Sequence, residues 1–222
     1  MSTTPQSTEG LTALEKLAVS YENNKKTVNT VVIAIVVAVG GFFAYKNLVV
    51  APNEEKASIA MMRAEQLFSI DSVNLALNGD AQNAGFLKVI KKYEGTASAN
   101  VAHFYAGSCY LKMGDYPNAI KHLKEFDAKG TVLEHAKSGL LGDAYMETND
   151  TKNAIENFNA AITDADDDVF TPIYLQRLAI AYEKTNRIED AKKAYMRIRD
   201  EFPRSFQGRD VEKSLATLGV LD

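Results

Sequence analysis

The sequence has few of the features that mark an enzyme or a nucleic-acid-binding protein. Its 222 residues include one cysteine, Cys109, so no disulfide can form within the chain. Basic residues number 25 and acidic residues 29, and this net charge of -4 leaves no basic face for nucleic acid. His103, His122 and His135 stand at unrelated phases, and no Ser/His/Asp, HExxH, CxxC or P-loop spacing occurs. We therefore expect no catalytic site, no metal and no cofactor.

A short acidic run is the one feature that suggests a cation. Asp164, Asp166, Asp167 and Asp168 cluster, but the turn Gly and distal Glu of an EF-hand loop are missing. Aspartate side chains also accept hydrogen bonds at helix N-termini. We interpret the run as a loop whose last Asp residues cap a helix beginning near Phe170.

Three similar blocks, at residues 110–119, 145–154 and 182–191, organise the chain. Each has a Tyr near the end of one helix, a polar turn, and an Ala nine residues later in the next helix. The Ala positions recur 35 and 37 residues apart. A helix-turn-helix period near 34 with this order of small and aromatic residues is the tetratricopeptide repeat (TPR) pattern. Such hairpins must stack, because none can bury its apolar face alone.

Small residues in each block should let its two helices approach closely. Gly107, Gly142 and Ala179 occupy the first helices, and the aligned Ala residues occupy the second. The Tyr residues would then fill the space at the edge of each hairpin. The small residues of the second helices are Ala119, Ala154 and Ala191.

A run of 19 uncharged residues, 27–45, lies between Lys26 and Lys46. At about 1.5 Å per residue it is roughly 28 Å long, which matches a hydrocarbon core of about 30 Å. Residues 48–51 can extend it. A cleaved signal peptide would need a shorter lead and a shorter apolar run, so we interpret the segment as an uncleaved anchor.

The flanking lysines indicate the orientation of this anchor. Lys16, Lys25 and Lys26 precede the span, whereas Lys46 and Lys56 follow it. The bias places the N-terminus inside and the remainder across the membrane, which in a bacterium is the periplasm.

Small side chains recur along the same run. At small residues helix backbones can approach closely, which is a main source of association in lipid. The span is therefore either a contact helix for a membrane partner or a passive tether. The candidate contact residues are Ala34, Ala38, Gly40 and Ala44.

These patterns predict an all-α protein with one N-terminal transmembrane helix and a TPR α-solenoid. In the degenerate hairpin, Leu75 and Ala76 should prolong the first helix, residues 77–80 should form a stop and turn, and the second helix should run from about Ala81 to Tyr93. A short amphipathic helix should precede the span and end near residues 23–24. The expected divisions are a cytosolic segment at 1–26, the anchor at 27–51, the degenerate capping hairpin at 52–96, three repeats at 97–203 and a C-terminal capping helix at 204–222.

The first helices of the repeats should line a concave groove. TPRs that clamp a carboxylate need Lys, Asn and Arg at set positions, and here only Arg177 matches. A groove of apolar and neutral groups suits a non-polar peptide segment or a partner helix, although several of its residues could pack against the neighbouring repeat instead. The candidate groove residues are Val101, Phe104, Ser108, Leu111, Asp143, Met146, Ile173, Gln176 and Ile180.

The whole arrangement resembles the YfgM-like ancillary subunit of the bacterial Sec translocon, in its Bacteroidota form. The segments most alike are 76–80, 85–87, 93–96 and 105–110, and the resemblance covers about residues 11–219. It implies an inner-membrane protein with a periplasmic TPR domain. It also implies association with SecYEG and with a membrane-anchored, PpiD-like periplasmic chaperone of the peptidyl-prolyl isomerase class.

The function expected from the sequence is that of a non-enzymatic adaptor beside the translocon exit. Its groove would hold a partner chaperone or an emerging secretory chain. Two alternatives stay open: an envelope scaffold for division or outer-membrane assembly, and a receptor whose TPRs face the cytosol. The groove ligand and the oligomeric state are not determined by the sequence.

Overall fold

The computed structural model describes residues 13–162 and 167–220, with side chains from Tyr21 onward, and confirms the all-α class. The described residues contain one isolated β-bridge, between Gly79 and Ala84, and no strand. The chain divides into two compact units, Met1–Pro52 and Asn53–Asp222.

The first unit is dominated by one long helix, α1 (Ala13–Tyr45), followed by a π-helical segment (Lys46–Val50). The most apolar 18-residue window of this helical region has a mean hydropathy of 2.2, and no residue of that window is buried. The helix is therefore long and apolar enough to cross a membrane. The π-helical segment has a widened turn that the sequence pattern does not reveal.

The predicted break at residues 23–24 is wrong, because α1 continues through both asparagines. Asn has only a modest helix penalty, and neither Gly nor Pro interrupts the backbone hydrogen bonds here. Lys25 and Glu22 also form an ion pair of 3.0 Å one turn apart on the helix surface. The polar segment 1–10 and Leu11 lie outside the described residues.

The capping hairpin has three helices, α2 (Ala51–Ser69), α3 (Val73–Asn78) and α4 (Phe86–Lys92). Leu75 and Ala76 do not prolong the first helix, because α2 stops at a turn in which Asp71 has a φ of 59°. This left-handed conformation is one that Asp tolerates better than most residues. The predicted continuous helix is therefore two helices.

The start of the last hairpin helix also differs from the expectation. It begins at Phe86 rather than Ala81, because the Asp80 carboxylate accepts hydrogen bonds from the backbone N–H groups of Gln82 and Asn83, at 2.8 and 2.7 Å. Side-chain to backbone bonds of this kind compete with helix formation. The residues between α3 and α4 consequently form a turn.

Glu54 ties α2 to the first repeat. Its carboxylate accepts hydrogen bonds from the backbone N–H groups of Ala97 and Ser98 and from the Ser98 hydroxyl. These N–H groups lie in the first turn of α5 (Ala97–Lys112), where no intrahelical acceptor is available. A negative charge there also complements the helix dipole.

Three helical hairpins and a final helix follow, in the order that the repeat pattern predicts. Gly114, Asn149 and Asn186 turn the chain within the three hairpins, with φ values of 77°, 60° and 56°. Asp115 and Asp150 then cap the second helices of the first two hairpins. The helices that complete the fold are α6 (Tyr116–Glu125), α7 (Glu134–Glu147), α8 (Thr151–Ala161), α9 (Phe170–Lys184), α10 (Ile188–Glu201) and α11 (Phe206–Thr217).

Close approach within the hairpins is confirmed. A Cβ atom added at Gly107 would lie 2.6 Å from Leu123 Cγ, and one added at Gly142 would overlap the Phe158 ring. The aligned Ala residues of α6, α8 and α10 are completely buried. Small residues are therefore needed where the two helices of a hairpin cross.

The Gly142→Ala substitution tests this packing. An exposed helical Gly→Ala change gains up to about 1 kcal/mol, but here the added methyl overlaps Phe158 and we expect a loss of about 1–3 kcal/mol. Chemical denaturation of both single variants and of the Gly142→Ala, Phe158→Leu double variant gives the coupling energy between the two residues. The loss of stability in the double variant should be smaller than the sum of the losses in the two single variants. A stabilising Gly142→Ala would contradict the close contact.

The buried side chains form three clusters along the stack rather than one core. The first joins the capping hairpin to α5, the middle one lies around Tyr145 and Phe158, and the third joins α9 and α10 to α11. Val211 and Leu215 of α11 are buried in the third cluster and Leu218 packs against it. The final helix therefore covers the last repeat.

Candidate protein-binding groove

The first helix of each hairpin contributes to one depression in the second unit. Helices α2, α5, α7 and α9 surround a volume of about 380 Å³. This volume is within the range of small ligand pockets and can accept one or two apolar side chains. Its apolar lining residues are Phe68, Phe104, Leu111, Ala136, Leu140, Phe170, Ile173 and Tyr174.

Four of the candidate residues come together here. Phe104, Ser108 and Leu111 line the depression from α5, where their spacing of four and three residues puts them on one helix face. Ile173 lines it from α9. We call this depression the groove.

The other five candidates lie elsewhere. Val101 packs against the first buried cluster and Met146 against the middle one. Asp143 forms an ion pair with Arg177. Gln176 is half-buried and Ile180 is 47% exposed, and neither side chain lines the groove. These residues occupy first-helix positions as the alignment implies, but they do not line the depression.

Phe170 is the most exposed aromatic residue of the groove, and sequence reasoning did not select it. It is the first residue of α9 and is 55% exposed. The Asp167 carboxylate accepts hydrogen bonds from the N–H groups of Val169 and Phe170, at 3.0 and 2.9 Å, and so starts the helix. The expected role of the acidic run is therefore shown only for Asp167, since the N-cap position itself is Val169, which makes no side-chain cap bond. Asp164 and Asp166 lie outside the described residues.

One ion pair controls the charge of the groove wall. The Arg177 guanidinium donates to the Asp143 carboxylate, one repeat away, and lies 5.9 Å above the Tyr174 ring. Burial raises the pKa of Asp143 to about 6; Arg177 opposes the rise and Glu147 adds to it. At neutral pH these two charges offset each other. Lys112 also lines the groove, and its ammonium pairs with Asp71 at 2.6 Å, so the rest of the lining is apolar or neutral.

Two histidines that seemed unrelated in the sequence are in contact. The Nδ1 atoms of His103 on α5 and His122 on α6 are 3.2 Å apart, because the two helices run antiparallel in the first hairpin. Tyr110 stacks on the His122 ring, with a centroid distance of 5.4 Å. Nearby Cys109 is fully buried, and burial raises its pKa to about 12, so its thiol is a small core group as expected.

Comparisons with known proteins agree with this architecture. Two tetratricopeptide repeat models match the chain, one at residues 101–129 and 174–205 and the other at 139–163. The second unit is thus a TPR solenoid, and such repeats indicate a protein-interaction adaptor.

Among solved structures, the chain is similar to one described as the crystal structure of MamA protein. The TM-score is 0.53 at 16% identity, over 74% of this chain and 88% of that chain. At this identity the likeness shows the fold alone. A search of curated proteins gives no match.

Proposed function

We propose that the protein is a non-enzymatic, membrane-anchored TPR adaptor of the Sec translocon. Its groove binds a PpiD-like periplasmic chaperone, an emerging secretory chain, or both. The observation that carries the proposal is an apolar depression formed by four successive hairpins in a chain that also has a helix able to cross a bilayer. The link to SecYEG rests on the family resemblance of the sequence.

The chemistry of the groove favours an apolar segment as the ligand. Exposed apolar groups that form a patch usually mark an interaction site. Phe170 and Ile173 on α9 face the same volume as Phe104 and Leu111 on α5, which suits the apolar face of a partner helix. Ser108, Lys112 and Arg177 add a small number of polar groups to position it.

The proposed location is the bacterial inner membrane, with the N-terminus cytoplasmic and the TPR domain periplasmic. The lysines before the span support this orientation. No residue of the most apolar 18-residue window of this helical region is buried, which suits contact with lipid.

The span also offers a surface to a partner helix. A Cβ atom added at Gly40 or Gly41 would meet no heavy atom within 4 Å, so the backbone there is open to close approach. The proposed contact residues are Ala34, Ala38, Gly40 and Ala44. Replacing Gly40 and Ala44 by Leu should preserve insertion and reduce co-purification of the translocon if the span is a contact rather than a tether.

Co-purification tests the groove. The full chain is extracted in mild detergent, and recovery of SecYEG and of the PpiD-like chaperone is quantified for Phe170→Glu and for the matched control Phe206→Glu. Phe206 is 71% exposed on α11, outside the groove, so the control adds the same charge without touching the proposed site. We expect Phe170→Glu to reduce recovery of the chaperone at least about ten-fold, equivalent to about 1.4 kcal/mol of binding free energy. Phe206→Glu should leave this recovery unchanged.

The other outcomes separate the alternatives. Equal recovery with both variants would remove the groove as the binding site. Absence of the translocon from the wild-type preparation would favour an envelope scaffold over a translocon adaptor.

A further inference from the structure

The first TPR hairpin holds two imidazoles within hydrogen-bonding distance of each other. His103 and His122 are both half-buried, and their Nδ1 atoms are 3.2 Å apart with ring centroids separated by 5.2 Å. One Nδ1–H must therefore face the lone pair of the other ring. The two helices that carry these rings are fixed against each other by Gly107 and Leu123, so the pairing is built into the fold.

The separation of the two nitrogens matches that of two ligands on one metal ion. Zinc–imidazole bonds are about 2.0–2.1 Å long, so two nitrogens 3.2 Å apart would subtend an angle of about 100° at the metal, close to tetrahedral. Each ring has to turn by roughly 40° from the direct Nδ1–Nδ1 contact for both lone pairs to converge on the ion. The ring proton between the two Nδ1 atoms then moves to Nε2 of its own ring through solvent, leaving both imidazoles neutral.

The surroundings keep both rings in the form that binds metal. Burial lowers the pKa of His103, and burial together with His103 and Lys121 lowers the pKa of His122 to about 4. Glu125 acts in the opposite direction on both rings. Neutral imidazole is the commonest metal ligand in proteins.

One ring of the pair is accessible from a cavity. His103 and Glu125 line this cavity of about 690 Å³, which shares no residue with the groove. Through it an ion can enter, and water can complete its coordination. Glu125, one turn after His122 on α6, is the acid best placed to supply a third ligand by a change of rotamer.

We propose that His103 and His122 form a two-imidazole chelate for a divalent transition-metal ion, with Zn²⁺ as the reference ion. In the described residues no group of three or more His, Cys, Asp or Glu side chains is arranged as a ligand set. The remaining positions therefore belong to water and to Glu125 once it has rotated. Binding would clamp α5 to α6 and stiffen the first repeat.

Zinc titration of the full chain in detergent tests the site. The preparation carries no polyhistidine tag, and binding is measured by calorimetry and by the thermal midpoint of unfolding. We expect one Zn²⁺ per chain and a midpoint that rises with Zn²⁺ concentration. His103→Gln and His122→Gln should each weaken binding by at least about ten-fold, because loss of one ring removes the chelate effect.

His135 provides the matched control, since it is exposed on α7 and outside the pair. His135→Gln should bind Zn²⁺ as the wild type does. Nitrogen NMR of the wild-type imidazoles gives a readout that requires no variant, and Zn²⁺ should shift the Nδ1 resonances of two of the three histidines. Unchanged resonances, or Zn²⁺ binding that survives His122→Gln, would overturn the proposal.

Discussion

Replacing Tyr145 by Ala is expected to lower the free energy of unfolding of the TPR unit by about 3–5 kcal/mol, the range for deletion of a large buried aromatic group. Tyr145 is only 8% exposed and belongs to the middle buried cluster together with Phe158. The Lys124 ammonium lies 5.6 Å from its ring centroid and adds a cation–π contact. Loss of the ring leaves a cavity between α7, α8 and the neighbouring repeat.

Thermal and chemical denaturation measure this effect, and Phe206→Ala is the control. Phe206 is 71% exposed, so its truncation should change the stability by no more than about 0.5 kcal/mol. A Tyr145→Ala protein that melts with the wild type would show that the repeat is packed differently.

Replacing Val36 and Val37 by Arg is expected to prevent membrane insertion. On the insertion scale each Arg near the centre of a span costs about 2.5–3.5 kcal/mol. Both valines are more than 60% exposed on α1, so the helix itself can accept the change. The fraction of the protein in carbonate-washed membranes should fall from nearly all to a minority.

An alkaline phosphatase fused after Asp222 reports the orientation in the same experiment. The fusion to the wild-type chain should be active, and the fusion to the double-Arg variant inactive. Val36→Leu with Val37→Leu is the control that keeps the span apolar. An inactive wild-type fusion would place the TPR unit in the cytosol and contradict the proposed location.

The repeats were predictable because their packing leaves a periodic signature. Gly107 and Gly142 stand where the two helices of a hairpin approach closely, and this contact recurs from hairpin to hairpin. Asp115 and Asp150 likewise recur as helix caps. Spacing that repeats along the chain reveals such contacts without any knowledge of the structure.

The capping hairpin has no second copy with which to align, and its details were missed. Its helix breaks depend on the left-handed conformation of Asp71 and on the bonds that Asp80 makes to the backbone. Asp is favoured in turns and caps, and the turn at residues 77–80 was predicted on that ground. Neither aspartate by itself predicts that the chain already breaks at Asp71 or that the last helix starts as late as Phe86. The interruption of the apolar stripe is therefore visible only in the structure.

The groove was predictable in part, for the same reason. First-helix positions place Phe104, Ser108 and Leu111 on one face, but the depression also depends on how successive hairpins are displaced. That displacement brings Phe170 to the rim. The pairing of His103 with His122 was missed because it joins two helices at positions that differ from repeat to repeat.

The division of the buried side chains into three clusters has a consequence for the order in which the TPR unit comes apart. In a linear stack each hairpin is held by its neighbours alone, so the ends open at lower free energy than the middle. Amide hydrogens of α7 and α8 should then exchange with solvent more slowly than those of α3 or α11. A ligand segment that contacts α2, α5, α7 and α9 at once would link hairpins that otherwise open separately. It would therefore slow amide hydrogen exchange in all the repeats.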